Sequence, residues 1–209
     1  MLTKILICLV IGYFCGCFST GYFVGKANHI DIRAYGSGNA GATNTLRTLG
    51  LKAGAITFLG DALKAVLPIL IFRMLYPDVE PLWQLYGLYL AIGVTLGHNF
   101  PFYLNFRGGK GIAVMAGAIM AITGWGTTLI AASIFLGIVY FTRYVSLGSL
   151  IVAWVLPIYM VVNFRNHPAF LHMFALCMFI TILAYVRHRA NIKRLLTGTE
   201  RKIGEKSTK

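Results

Sequence analysis

Apolar stretches long enough to cross a bilayer recur along almost the whole chain, divided by short polar segments that carry most of its Lys and Arg. A transmembrane helix takes about 20 apolar residues, and within lipid only a structure that pairs its own backbone groups is stable. Runs of this kind occupy residues 4–25, 53–75, 82–100, 112–124, 126–142, 145–163 and 168–186. The fourth is short, and its separation from the fifth rests on a turn at Thr123-Gly124-Trp125-Gly126. Read as a hairpin of two helices, that stretch gives seven spans; read otherwise, five or six. The predicted fold class is therefore all-α, a polytopic membrane bundle of seven transmembrane helices forming a single domain over residues 1–209. Composition agrees, because a chain 57% hydrophobic and only 12% charged cannot cover a soluble surface.

Charge sets the orientation. Lys4 ahead of the first apolar run imitates a signal peptide, but no A-x-A-like cleavage site follows and the run is long enough to span. Lys26, Arg33, Arg47 and Lys52 follow that run. The positive-inside rule then puts the N-terminus outside. Alternation places residues 26–52, 101–111, a short segment near 143–149 and the tail 187–209 on the cytoplasmic face, with the C-terminus among them. Fifteen of the 19 Lys and Arg fall in these four segments. The acidic turn Asp78-Val79-Glu80 lies outside. The net charge of +13 thus follows from topology, and its spread over several loops, not one groove-forming module, argues against a nucleic-acid partner. Cys8, Cys15, Cys17 and Cys177 sit inside apolar runs with no CxxC spacing, and read as packing residues with neither disulfide nor metal.

Three polar segments carry the candidate chemistry. Residues 36–41, Gly-Ser-Gly-Asn-Ala-Gly, match G-x-G-x-x-G, but no strand precedes them and a dinucleotide fold is excluded. Their glycines, Gly38 among them, still allow backbone N–H groups to converge on an anion. Ser37, Asn39, Thr43 and Asn44 add neutral hydrogen-bonding groups, and Arg47 is able to grip phosphate in bidentate fashion. The plainer reading is a glycine-rich turn joining two helices. The second segment, Gly97-His98-Asn99-Phe100-Pro101 followed by Phe106-Arg107-Gly108-Gly109-Lys110-Gly111, lacks the spacing and the Ser/Thr of a nucleotide P-loop. Gly108 and Gly109 permit close backbone approach to a ligand, Lys110 supplies a point charge, and Arg107 serves either phosphate or the membrane surface. His98 reads as structural at a helix end.

In the third segment His188 and Asn191 stand three residues apart, on one face of a helix continuing from the last span. Either one suits a phosphate or an attacking hydroxyl. Alternatively the segment is a juxtamembrane basic helix on anionic lipid, with Glu200 as an organising counter-charge. Asp61 and Lys64, also three apart but inside the second span, read first as a mutual ion pair that fixes packing. Ser146 and Ser149 place two hydroxyls near one face of a later span.

Together the stretches Ser37–Gly50 (SGNAGATNTLRTLG), Gly97–Ala113 (GHNFPFYLNFRGGKGIA) and His188–Glu200 (HRANIKRLLTGTE) resemble the bacterial membrane acyl-phosphate:glycerol-3-phosphate acyltransferases, the PlsY family. The Gly60–Lys64 and Tyr144–Ser149 stretches fit the same resemblance. It implies seven helices around a cytoplasm-facing site in the bacterial inner membrane. The reaction implied moves a fatty acyl group from acyl phosphate to the 1-position of sn-glycerol 3-phosphate, giving lysophosphatidate and inorganic phosphate without a cofactor. Membrane lipids would be the third partner. The resemblance also implies that Arg47 and Lys110 bind glycerol phosphate in a pocket shaped by Gly108 and Gly109. Ser37, His188 and Asn191 would engage acyl phosphate or align the hydroxyl, with Ser37 positioning rather than forming an acyl-enzyme.

The His-x4-Asp motif of other acyltransferases is absent: none of the five histidines has Asp five residues on. The chemistry fits independently, since a mixed anhydride is already activated and two phosphates need several cations and N–H groups around them. The alternative is a membrane transporter of a phosphorylated metabolite, which would place its polar groups near the midplane on broken helices.

Overall fold

The computed structural model of the chain describes residues 1–205, apart from the side chains of residues 80 and 81. The end of the basic tail and the Glu80 carboxylate of the outer turn therefore lie outside the described residues. Among the described residues there are ten α-helices, joined in places by short 3-10 turns, and no strand: α1 (Leu2–Cys17), α2 (Thr20–Ala27), α3 (Ala42–Leu49), α4 (Leu51–Leu75), α5 (Trp83–Asn99), α6 (Ile112–Thr142), α7 (Val145–Val152), α8 (Val155–Phe164), α9 (Phe170–Arg187) and α10 (Arg189–Leu196). The chain is all-helical, as expected. Among the described residues five segments are long and apolar enough to cross a membrane: α1 with α2, α4, α6, α7 with α8, and α9.

The two remaining spans of the sequence count have physical explanations. Helix α5 has 17 residues, and most of them are buried, so it is the helix the others wrap around. Helix α6 runs through the expected turn but breaks its dihedrals at Gly124 (φ 80°, ψ −176°), a conformation suited to glycine. Its first half packs into the core through Met115, Ala118, Ile119 and Ile122. Its second half exposes Leu129, Ile130, Leu136 and Phe141, as a lipid-facing surface does.

The packing of α1 on α5 follows from small residues. Without a hydrophobic driving force in lipid, helices associate where small side chains let backbones touch. Gly12 and Gly16 of α1 face Gly93 and Gly97 of α5: a Cβ at Gly12 would come within 2.6 Å of the Leu90 carbonyl, and one at Gly93 within 2.6 Å of the Leu9 carbonyl. A Cβ at Gly97 would collide with the Tyr13 carbonyl. Gly97→Val is therefore expected to destabilise the fold by about 3 kcal/mol or more, read as a lowered thermal transition in detergent. Gly126→Val, where nothing lies within 4 Å, should leave that transition in place.

A break between α1 and α2 at Phe18-Ser19, both extended, frees backbone groups inside the bundle. They are met by side chains: Lys64 Nζ donates to the Phe18 carbonyl (2.7 Å) and Tyr103 Oη to the Cys17 carbonyl (2.9 Å). That repair brings the charges of α4 beside the ends of α5 and α1. The four cysteines are unpaired, and three are buried.

Candidate active site

The three polar segments converge on one cavity of about 360 Å³. In the first, Asn44 stitches the loop together. Its Oδ1 accepts from the Ser37 N–H (2.9 Å), and its Nδ2 donates to the carbonyls of Ile32 (3.0 Å) and Tyr35 (3.1 Å). Asn39 Oδ1 accepts from Gly41 N–H (2.8 Å). Both amides thus serve the loop's own backbone while lining the cavity. Ser37 stands exposed at the mouth, and Thr43 and Arg47 rise from α3. Arg47 Nη2 donates to the Arg201 carbonyl (2.9 Å), while its Nε is buried without a partner among the described residues.

In the second segment the glycines fold the chain back on α5. Gly108 N–H donates to the Asn99 carbonyl (3.1 Å) and Gly109 N–H to the His98 carbonyl (3.0 Å). Arg187 closes the far side, its Nη2 donating to the Gly109 carbonyl (2.9 Å). A side chain at Gly108 or Gly109 would strike His98, so the close approach these glycines permit is to His98. Lys110 and Gly111 line the cavity; Gly38, Arg107, Gly108 and Gly109 do not, and Arg107 is exposed.

The third segment supplies a buried hydrogen-bond chain. Lys110 Nζ donates to Asn191 Oδ1. Asn191 Nδ2 donates to Glu200 Oε1 (2.7 Å), as does Ser146 Oγ (2.9 Å), and Arg194 Nε donates to Glu200 Oε2 (2.7 Å). Burial alone would raise the Glu200 carboxyl, but these bonds outweigh it and hold it below the ordinary range. Ser149 lines the cavity too, with its hydroxyl donating to the Val145 carbonyl (2.8 Å).

Two groups are tuned by this setting. Burial first, then neighbouring arginines against the opposing pull of Glu200, pushes the Lys110 ammonium down to about 8. His188, 3% exposed, is pushed down to about 4 by burial and by the Lys110 charge. It is therefore neutral at pH 7. Its Nδ1 lies 2.8 Å from the Ala184 carbonyl, which fixes the proton there and leaves the Nε2 lone pair available.

Behind the cavity the expected Asp61–Lys64 pair forms at 2.7 Å, with Thr20 Oγ1 also donating to Asp61 Oδ1 (3.0 Å). It extends to a residue that sequence reasoning set aside: Lys64 Nζ lies 2.9 Å from His98 Nδ1. Asp61 and His98 line the cavity, and Lys64 does not. The signal available was the Gly97-His98 dipeptide ahead of the glycine loop. Among the described residues no group of three or more His, Cys, Asp or Glu is placed to hold a metal ion.

The same cavity is also lined by apolar side chains, Leu51 and Phe58 of α4 and Phe135, Leu136 and Val139 of α6. Cationic donors and hydrocarbon in one cavity suit a molecule that is part phosphate and part lipid. Comparison with known proteins narrows this. The sequence profile of the family described as Glycerol-3-phosphate acyltransferase matches residues 6–198. The chain belongs to the glycerol-3-phosphate acyltransferase family.

Glycerol-3-phosphate acyltransferase of Clostridioides difficile (strain 630) is 46% identical over 202 residues, covering 96% of each chain. That of Alkaliphilus metalliredigens (strain QYMF) is 42% identical, over 97% of this chain and 98% of the relative. The crystal structure of PlsY (YgiH), an integral membrane glycerol 3-phosphate acyltransferase, in its glycerol 3-phosphate form superposes with a TM-score of 0.83 at 33% identity, covering 96% of both chains. Its lysophosphatidic acid form superposes with a TM-score of 0.80. This acyltransferase is accordingly a multi-pass membrane protein.

Proposed function

We propose that this acyltransferase takes its acyl group from an acyl phosphate and delivers it to the 1-hydroxyl of sn-glycerol 3-phosphate. The products are 1-acyl-glycerol 3-phosphate and inorganic phosphate, released at the cytoplasmic face of the bacterial inner membrane. The observation that carries this reading is the mixed lining of one cavity, with the cations Arg47 and Lys110 together with apolar side chains of α4 and the second half of α6. The charge distribution supports counting α5 and both halves of α6 as spans, for seven in all, with the N-terminus outside.

In this reading Arg47 and Lys110 hold the substrate phosphates, the Ser37 hydroxyl and Asn191 orient them, and the fatty chain lies against Phe58 and Phe135. His188 Nε2 accepts the hydrogen bond of the attacking hydroxyl and so aligns it. An imidazole depressed to about 4 is a poor resting place for the proton, and a departing phosphate is a far stronger base. The hydroxyl oxygen bonds to the acyl carbon, the bond from that carbon to the phosphate oxygen breaks, and the proton leaves on the phosphate. Ser37 forms no ester.

The test mixes purified protein with palmitoyl phosphate and glycerol 3-phosphate and measures phosphate release. Release that needs glycerol phosphate is expected, with no acyl-Ser37 in a single turnover without it; release independent of glycerol phosphate sinks the reading. A pH profile tests the role of Lys110. Only its protonated form attracts phosphate, and with the group depressed to about 8, kcat/KM for glycerol phosphate should fall as pH rises through about 8. Lys110→Arg, which stays charged, should remove that basic limb.

A further inference from the structure

Two imidazoles face this cavity, and their surroundings fix them with opposite polarity. Lys64 Nζ directs its protons at the Phe18 carbonyl (2.7 Å), Asp61 Oδ1 (2.7 Å) and His98 Nδ1 (2.9 Å). Paired with a carboxylate at that distance, Lys64 is an ammonium, which only donates. His98 Nδ1 is therefore the lone-pair nitrogen, the ring is neutral, and its proton sits on Nε2. Asp61 Oδ1, at 3.7 Å from Nδ1, is too far to compete. The His98 ring is 2% exposed and lines the cavity. Its Nε2 has no partner among the described residues, and it lies against Gly109, where even a methyl group would strike it.

His188 is held the other way, its Nδ1 against the Ala184 carbonyl and its Nε2 lone pair free. Gly109 ties together the segments that carry the two rings: its N–H donates to the His98 backbone carbonyl (3.0 Å), and its carbonyl accepts from the side chain of Arg187 (2.9 Å), the neighbour of His188.

We propose that His98 is a second catalytic imidazole, a neutral Nε2–H donor that hydrogen-bonds the acyl carbonyl oxygen as it becomes an oxyanion, with Lys64 positioning it by fixing its tautomer. This rests on the acyl-transfer reading above. As the glycerol oxygen bonds to the carbonyl carbon, the C=O π pair moves onto the oxygen held by His98. The pair returns as the carbon–phosphate oxygen bond breaks. The hydroxyl proton leaves on the phosphate, and His98 keeps its own. Arg47 and Lys110 suit the dianionic phosphates, which carry full charge in the ground state. A neutral donor on a buried ring suits an oxygen that gains charge only in the transition state, where a hydrogen bond accelerates the step instead of merely binding.

The test uses the full chain in lipid nanodiscs. Nitrogen-15 spectra of labelled histidine should show His98 as the Nε2–H tautomer and His188 as the Nδ1–H tautomer; an imidazolium or Nδ1–H ring at His98 overturns the proposal. His98→Leu is expected to lower kcat about 10²–10³-fold, as removal of an oxyanion donor does, with KM for glycerol phosphate within about threefold. His98→Gln, which keeps an N–H donor and serves if the leucine variant does not fold, should recover at least tenfold. Wild-type kcat in His98→Leu overturns the proposal, as does a KM raised tenfold at unchanged kcat, which would make the ring a binder of glycerol phosphate. If wild-type protein shows no glycerol-phosphate-dependent release, it is the acyl-phosphate reading that fails; the spectra still report the tautomers.

Discussion

Replacing Arg47 by Ala is expected to lower kcat/KM for glycerol 3-phosphate about 10²–10³-fold, the scale of losing one partner of a buried, hydrogen-bonded charge pair. The reason lies in how the guanidinium sits at the cavity wall. One terminal nitrogen pins the tail through the Arg201 carbonyl, and the Nε is buried with nothing to donate to among the described residues. Buried donors are nearly always satisfied, and a cation in this position at a cavity wall is suited to a phosphate oxygen. Lysine would restore the charge but not the planar fork. Arg47→Lys should therefore recover only about tenfold of the loss. The assay is phosphate release at varied glycerol phosphate, with circular dichroism confirming the helices. Full recovery by lysine would reduce the role of Arg47 to charge alone, and near-wild-type activity of Arg47→Ala would remove it from the site.

Most of the bundle was legible because lipid leaves so few options. An apolar run of span length must be a helix. The break at Gly124 was legible because glycine is the residue that tolerates its dihedrals, although α6 continues on both sides of it. Less legible was anything that depends on what a polar group touches. Gly108 and Gly109 signal close approach, yet the sequence does not say to what, and the partner is His98. Asn39 and Asn44 look like ligand contacts on residue type but spend their amides on loop backbone. The Asp61–Lys64 pair was readable from its helical spacing. Its extension to His98 was not, because that contact joins α4 to α5 and also depends on the α1–α2 break, whose freed carbonyl draws Lys64 inward. No local pattern announces that break.

Glu200→Ala is expected to be the most damaging change in the tail, although Glu200 meets no substrate in the proposed reaction. Its carboxylate gathers Ser146, Asn191 and Arg194, and Asn191 in turn holds Lys110. Alanine leaves the Ser146 and Asn191 donors buried and unmatched, at about 1–3 kcal/mol for each. Arg194 is 37% exposed and rehydrates, so its share is small. A destabilisation of about 3 kcal/mol should accompany a loss of activity beyond tenfold, because Asn191 is then free to turn and Lys110 loses its rest. Glu200→Gln separates the electrostatic part from the packing part. It keeps the shape and an acceptor but removes the negative charge that holds the Lys110 ammonium up against burial. With that charge gone the lysine titrates lower, and the basic limb of kcat/KM should move to lower pH than in the wild type. A limb that stays in place in a well-folded Glu200→Gln would show that Glu200 acts on Lys110 through shape alone.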